Sequence, residues 1–142
     1  MSPKPPFVLP PSIEDLEAIA AAAYAAIPRE LTRHVDNVVI RVVDFPDEDT
    51  MDEMGCETEF DLLGLYRGVD LSRKSVADVV TNLDMVFLYR RPLLDYWCET
   101  GEDLHHLVRH VTIHELGHHL GLSDAEMEAI EAAADAEDRR RG

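Results

Sequence analysis

The sequence predicts an α+β domain in which a small sheet packs against helices. The order of its patterns is the first observation: a helical stripe comes first, three short apolar runs follow, and helical segments close the chain. The length of 142 residues suits one domain. The hydrophobic content of 46% is ordinary for a globular protein and argues against a disordered chain.

The N-terminal part divides into an arm and a helix. Residues 1–11 contain five prolines and are predicted to form a flexible arm, because proline removes backbone donors and favours extended conformations. The single domain is predicted over residues 12–142. Ser12 suits the N-cap of a first helix, which Pro28 ends before a further helical turn through Leu31. The apolar stripe of this helix is Ile13, Leu16, Ala20, Ala23 and Ile27.

Three apolar runs are predicted to be strands: residues 38–43, 62–66 and 85–89. The first is β-branched on both faces apart from one arginine, which is typical of a well-covered strand. The acidic segment 44–59 between the first two runs is predicted to be a loop with room for one helical turn. Residues 71–83 are predicted to be a loop with some helix.

Helices are predicted to close the chain, over residues 93–98, 102–120 and 124–138. Gly121 lies where a left-handed residue ends the long helix, and Gly117 is expected to allow close packing of that helix against the sheet. The last helix places Met127, Ile130 and Ala134 on one stripe.

The charge balance excludes several classes of partner. Lys and Arg number 13 against 29 Asp and Glu, a net charge of −16 that repels nucleic acid and anionic membranes. No apolar run is long enough to span a bilayer, and no secretory signal pattern is seen. Cys56 and Cys98 are too few for a disulfide scaffold. A cytoplasmic protein is therefore expected, with a monomer favoured.

The segment 110–124, HVTIHELGHHLGLSD, contains a pattern typical of a metal site. His114, Glu115 and His118 form H-E-x-x-H, for which chance alone gives a probability of roughly 3% in this composition. Residues four apart share a helix face, so both imidazoles could bind one ion. Glu115 is rotated by about 100° and could stand beside the metal as a general base.

A catalytic zinc site needs a third protein ligand, and Asp124 is the candidate. Gly121 can turn the chain three residues after His118, and Asp124 follows three residues later. Its rival role is an N-cap or first-turn acid of the last helix. Ser123 could cap that helix instead, with Glu126 as the partner in a capping box.

The extended motif H-E-x-x-H-x-x-G-x-x-D resembles the zinc signature of metzincin-type metallopeptidases, with Asp in place of the commoner third His. The chain is more closely similar to the small bacterial zincin-like metallopeptidases with a minimal fold, through residues 62–68, 85–93 and 114–124. This resemblance implies a minimal zincin-like fold and a Zn²⁺ site whose ligands are His114, His118 and Asp124. It also implies that Glu115 is the general base. No methionine turn like that of true metzincins is evident.

The sequence therefore predicts a zinc metalloendopeptidase that hydrolyses a peptide or protein substrate. The strand 85–89 could bind an extended peptide if it lies at an edge of the sheet. The alternative is a non-catalytic zincin-shaped module that binds metal or a protein partner. His106 and His110 continue the four-residue spacing backwards and are interpreted as a half-exposed helix face. Tyr89 and Tyr96 could stabilise an oxyanion, although burial is the favoured interpretation of each.

Overall fold

The computed structural model describes residues 9–32, 38–68 and 84–141. The elements are α1 (Ile13–Ala25), α2 (Arg29–Thr32), β1 (Val38–Val43), α3 (Glu48–Met54), β2 (Gly64–Arg67), β3 (Asp84–Tyr89), α4 (Arg90–Thr100), α5 (Leu104–Leu120) and α6 (Asp124–Arg141). The predicted α+β class is confirmed. The prediction for residues 71–83 lies outside the described residues.

The sheet has the strand order β1-β3-β2, so β3 is its central strand. β3 pairs in parallel with β1 and antiparallel with β2. Residues 85–89 were expected to bind a peptide only if they lay at an edge of the sheet. This condition is not met, because both sides of the β3 backbone are already paired. Among the described strands, the edges are β1 and β2.

One face of the sheet is covered by α5, and α1 packs on α5 and β1. Val86 and Leu88 of β3 are fully buried in the resulting core. Gly64 allows β2 to lie close to α5, because a Cβ atom built at residue 64 would lie only 2.7 Å from Cγ1 of Val111. This close approach brings the following residues of β2 alongside the last turns of α5.

Three helices begin earlier or run longer than predicted, namely α3, α4 and α6, of which α6 extends to Arg141. The acidic region contains α3, whose first turn is capped by Asp47 accepting a hydrogen bond from the Thr50 N–H group. Gly55 ends this helix with a φ of 68°. α4 begins directly after β3, and Pro92 lies in its first turn, where no intrahelical donor is needed.

The turn between α5 and α6 forms as predicted, with Gly121 in the left-handed region at a φ of 72°. α6 packs back on α5 through Met127, Ile130 and Ala134, so the predicted stripe is confirmed. The expected neighbour of Gly117 was wrong. A Cβ atom at residue 117 would lie 2.8 Å from Cγ of Met127, so this glycine makes room for α6 rather than for the sheet.

The end of the proline-rich arm is held against the domain. Pro11 is buried, and its carbonyl accepts a hydrogen bond of 2.7 Å from Nε of Arg90. The rest of the predicted arm, residues 1–8, lies outside the described residues. In the part of the chain that is described, no helix has the length and apolar character needed to cross a membrane.

Candidate metal centre

The H-E-x-x-H motif lies in the second half of α5, on the helix where the sequence places it. The rings of His114 and His118 meet edge to face, with their centroids 6.2 Å apart. His114 is half-buried, whereas His118 is exposed. The two imidazoles therefore occupy one side of the helix, with His118 towards solvent.

The side chain of Glu115 extends from α5 to the edge strand β2. Its Oε2 accepts a hydrogen bond of 3.0 Å from the backbone N–H group of Tyr66. From the close contact of Gly64 with Val111, two strand residues span about 6.6 Å and four helix residues about 6 Å. The strand and the helix therefore advance by nearly the same distance, and this match places Tyr66 of β2 opposite Glu115 of α5.

The electrostatic surroundings of Glu115 favour proton uptake. Burial raises the pKa of this carboxyl, and the Tyr66 N–H group and the charges of His118 and His114 lower it by less. A carboxylate whose pKa is raised is a stronger base than an exposed glutamate. Because Tyr66 engages one carboxylate oxygen, the other oxygen is left for a reacting proton.

Asp124 is exposed in the first turn of α6. It does not cap the helix, because Ser123 and Glu126 form the capping box that the sequence offered as the alternative. Oγ of Ser123 accepts from the Glu126 N–H group, and Oε1 of Glu126 accepts from the Ser123 N–H group, both at 3.1 Å. The assignment of Asp124 as a ligand stays a prediction.

A different set of side chains converges in the structure. Among the described residues, the ligand atoms of His110, His114 and Glu131 all lie within 4.8 Å of one another, and this group includes neither His118 nor Asp124. Nδ1 of His110 is 2.7 Å from Oε1 of Glu131, and Nε2 of His114 is 3.4 Å from Oε2. The structure therefore joins the first histidine of the motif to α6.

Glu131 was not predicted as a site residue, although the sequence contains one signal for it. Glu131 lies four residues after Met127, on the apolar stripe of α6, and it is 9% exposed. An acidic residue on the buried face of a helix needs a polar or positive partner. His110 supplies this partner for Glu131. The helix face that carries His110 is therefore half-exposed, as interpreted from the sequence, and it also contacts α6.

The residues present fit a metal ion. Nε2 of His114 is buried and makes no hydrogen bond within the described structure, which is unusual for a buried polar atom. Imidazole nitrogens and carboxylate oxygens around it are the donors that zinc prefers. A nitrogen without a hydrogen bond in such surroundings is suited to bind a cation.

Tyr89 and Tyr96, the two tyrosines considered for oxyanion stabilisation, differ in their surroundings. Tyr89 is buried at the end of β3, and burial, followed by the charge of Asp47, raises its pKa to about 12. Tyr96 is 38% exposed on α4, so the expectation that it is buried was wrong.

Tyr66 and His119 form a supporting contact beside the motif. Their rings stack with centroids 4.0 Å apart, and Nε2 of His119 lies 3.5 Å from Oδ2 of Asp84. His119 therefore joins α5 to β2 and β3, in keeping with its interpretation as a structural residue. The same tyrosine thus fixes the strand beside Glu115 through both its backbone and its ring.

A comparison with protein families places the chain in a known family. The sequence model of the family described as zincin-like metallopeptidases matches residues 35–134, which include all three described strands and α5. No curated protein matches the chain. The matched range also contains His114, Glu115, His118 and Asp124.

Proposed function

We propose, because the chain belongs to the zincin-like metallopeptidase family, that it is a zinc-dependent endopeptidase. His114 and His118 would hold the metal together with Asp124, and Glu115 would be the general base. The observation that carries this proposal is the placement of Glu115 beside both histidines, with its carboxylate oriented by an edge strand. A cytoplasmic location is part of the same proposal.

The chemistry divides between the metal and the chain. Zinc bound here would act as a Lewis acid that lets water lose a proton near neutral pH. Glu115 takes that proton on the carboxylate oxygen that Tyr66 leaves free, as water attacks the carbonyl carbon of the peptide. Glu115 then returns the proton to the leaving amine, so the carboxylate is regenerated.

The position of the edge strand supports a peptide substrate. β2 lies next to Glu115, and an extended peptide can add to an unpaired strand edge through backbone hydrogen bonds. The Tyr66 N–H group is already engaged by Glu115, so a bound peptide would pair with other backbone groups of β2. This arrangement would place the peptide backbone next to the general base.

The test is the substitution Glu115→Gln, which keeps the shape and the Tyr66 hydrogen bond but removes the base. Hydrolysis of a quenched fluorescent peptide library by the zinc-loaded protein is expected to fall by about 10²- to 10⁴-fold. Zinc binding should persist, because Glu115 is not a proposed ligand. Turnover at the wild-type rate would show that Glu115 is not the base.

Two further variants separate the base from the ligands. Glu128→Gln makes the same chemical change at an exposed site on α6 and is expected to leave hydrolysis unchanged. Asp124→Asn removes a proposed ligand, so zinc added after chelation should restore hydrolysis to the wild type but not to this variant. Full restoration in the variant would exclude Asp124 as a required ligand.

A further inference from the structure

We propose that His110, His114 and Glu131 form a divalent transition-metal site of their own, which bridges α5 and α6. The site shares His114 with the ligand set proposed for catalysis but uses neither His118 nor Asp124. It does not depend on peptidase activity, because it requires only that the two helices pack as they do. Zn²⁺ is the cation that this donor set favours.

The separations of the donor atoms support this proposal. Two ligands held about 2.0–2.1 Å from a tetrahedral ion lie about 3.3 Å apart. Nε2 of His114 and Oε2 of Glu131 are 3.4 Å apart, which is suited to two ligands of one ion. A ring nitrogen of His110 lies within 4.8 Å of the other two donors, so a rotation of that side chain would have to bring it closer to complete the set.

The hydrogen bonding of the cluster is incomplete in a way that a cation would resolve. Glu131 bonds to His110 through Oε1, whereas the buried Nε2 of His114 has no hydrogen-bond partner. A buried polar atom without a hydrogen bond is uncommon in folded proteins, and a bound metal would satisfy this nitrogen.

The helices hold the three side chains in register independently of a metal. His110 and His114 are four residues apart on α5, and their ring centroids are 4.0 Å apart. Glu131 lies between Ile130 and the buried Ala134 on the packed side of α6. Arg109 binds Asp135 and Asp138, one and two turns further along α6 than Glu131, so ion pairs fix the same interface beside the cluster.

Because one imidazole nitrogen binds one ion, a metal held here would withhold His114 from the H-E-x-x-H set. The two ligand sets are therefore alternatives on one histidine. This sharing makes the proposal distinguishable from the catalytic site, since variants can remove each set separately.

The experiment removes the catalytic set and asks whether metal still binds. The double variant His118→Ala/Asp124→Asn is titrated with Zn²⁺ against a chromophoric chelator and with Co²⁺ by visible absorption. It is expected to bind one ion per chain with tetrahedral Co²⁺ absorption. Adding Glu131→Gln or His110→Ala to it should weaken binding by more than about tenfold, since even an outer-shell partner contributes about 10- to 100-fold.

Adding His106→Ala to the double variant provides the matched control. His106 is an exposed histidine one turn before His110, and its removal should leave the affinity unchanged. A double variant that binds no metal would overturn the proposal, as would one whose affinity is unaffected by losing Glu131 and His110. Circular dichroism establishes that each variant is folded.

A second measurement follows the ligands directly in the double variant His118→Ala/Asp124→Asn, where His114 is not engaged by the catalytic set. On addition of one equivalent of Zn²⁺, the imidazole ¹⁵N resonances of His110 and His114 should both shift, whereas those of His106 should not. Resonances of His110 that do not move while zinc binds would overturn the bridging site. Because no readout here is hydrolysis, loss of this site and loss of the peptidase proposal give different results.

Discussion

Ser123 and Asp124 are adjacent residues with different roles, and their contributions to stability can be measured separately. Ser123 shares its capping box with Glu126, so Ser123→Ala should lower the free energy of unfolding by about 1 kcal/mol. Asp124 makes at most a favourable interaction with the helix dipole, so Asp124→Asn should cost less, about 0.3–1 kcal/mol. Urea unfolding of the metal-free proteins measures both changes.

Ser12→Ala is the matched control, because Ser12 forms the same capping box with Asp15 at the start of α1. Its cost should equal that of Ser123→Ala within a few tenths of a kcal/mol. A cost for Asp124→Asn that exceeds both serine variants would assign Asp124 to the cap after all. The capping box was visible in the sequence, since Ser and Glu stand three residues apart before an apolar stripe.

At the scale of single residues, the sequence reveals groups whose partners are local. His114, Glu115 and His118 are placed together by helix geometry alone. Glu131 is 17 positions beyond His114, and it reaches that histidine only because α6 folds back along α5. No local spacing encodes this contact, although an acidic residue on the buried stripe of α6 indicates that a partner exists.

At the scale of elements, the contact of Gly117 with Met127 fixes how closely α6 lies on α5. Replacing a helical glycine by alanine normally stabilises a helix by about 1 kcal/mol. Here the added Cβ atom would overlap the Met127 side chain, so Gly117→Ala should instead lower the free energy of unfolding by about 1–3 kcal/mol.

A double-mutant cycle isolates this overlap from other effects. In the background Met127→Ala, the clash is absent and Gly117→Ala should be neutral or stabilising. The measurement is urea unfolding of the wild type, both single variants and the double variant. An equal cost of Gly117→Ala in both backgrounds would mean that Met127 does not limit the packing.

Element boundaries were predictable where the pattern is local and strong. The β-branched run from Val38 to Val43 is a strand over those residues, and Gly121 ends α5. α3 is longer than the one helical turn predicted in this acidic segment, because its seven residues are mostly acidic and show no apolar stripe, although Asp47 and Gly55 are ordinary start and stop residues. The central position of β3 could not be predicted, because strand order depends on pairings between distant segments.

At the scale of the whole molecule, the charge of −16 sets how stability should respond to salt. Repulsion among like charges destabilises the compact state, and added salt screens it. The ion pairs that salt would weaken are few in the described structure. An exposed pair such as Arg67 with Glu53 contributes only about 0–1 kcal/mol. Relief of repulsion should therefore exceed the loss of ion pairs.

The midpoint temperature of the metal-free protein should accordingly rise when NaCl is raised from about 0.01 M to about 0.15 M, as the Debye length falls from about 30 Å to about 8 Å. Thermal unfolding followed by circular dichroism at neutral pH measures this change. The control is the same comparison near pH 4.6, the isoelectric point of the sequence, where the net charge is close to zero and the rise should vanish. A midpoint that falls with salt at neutral pH would show instead that ion pairs such as those of Arg109 with α6 outweigh the repulsion, and that electrostatic attraction stabilises the helix interface around Glu131.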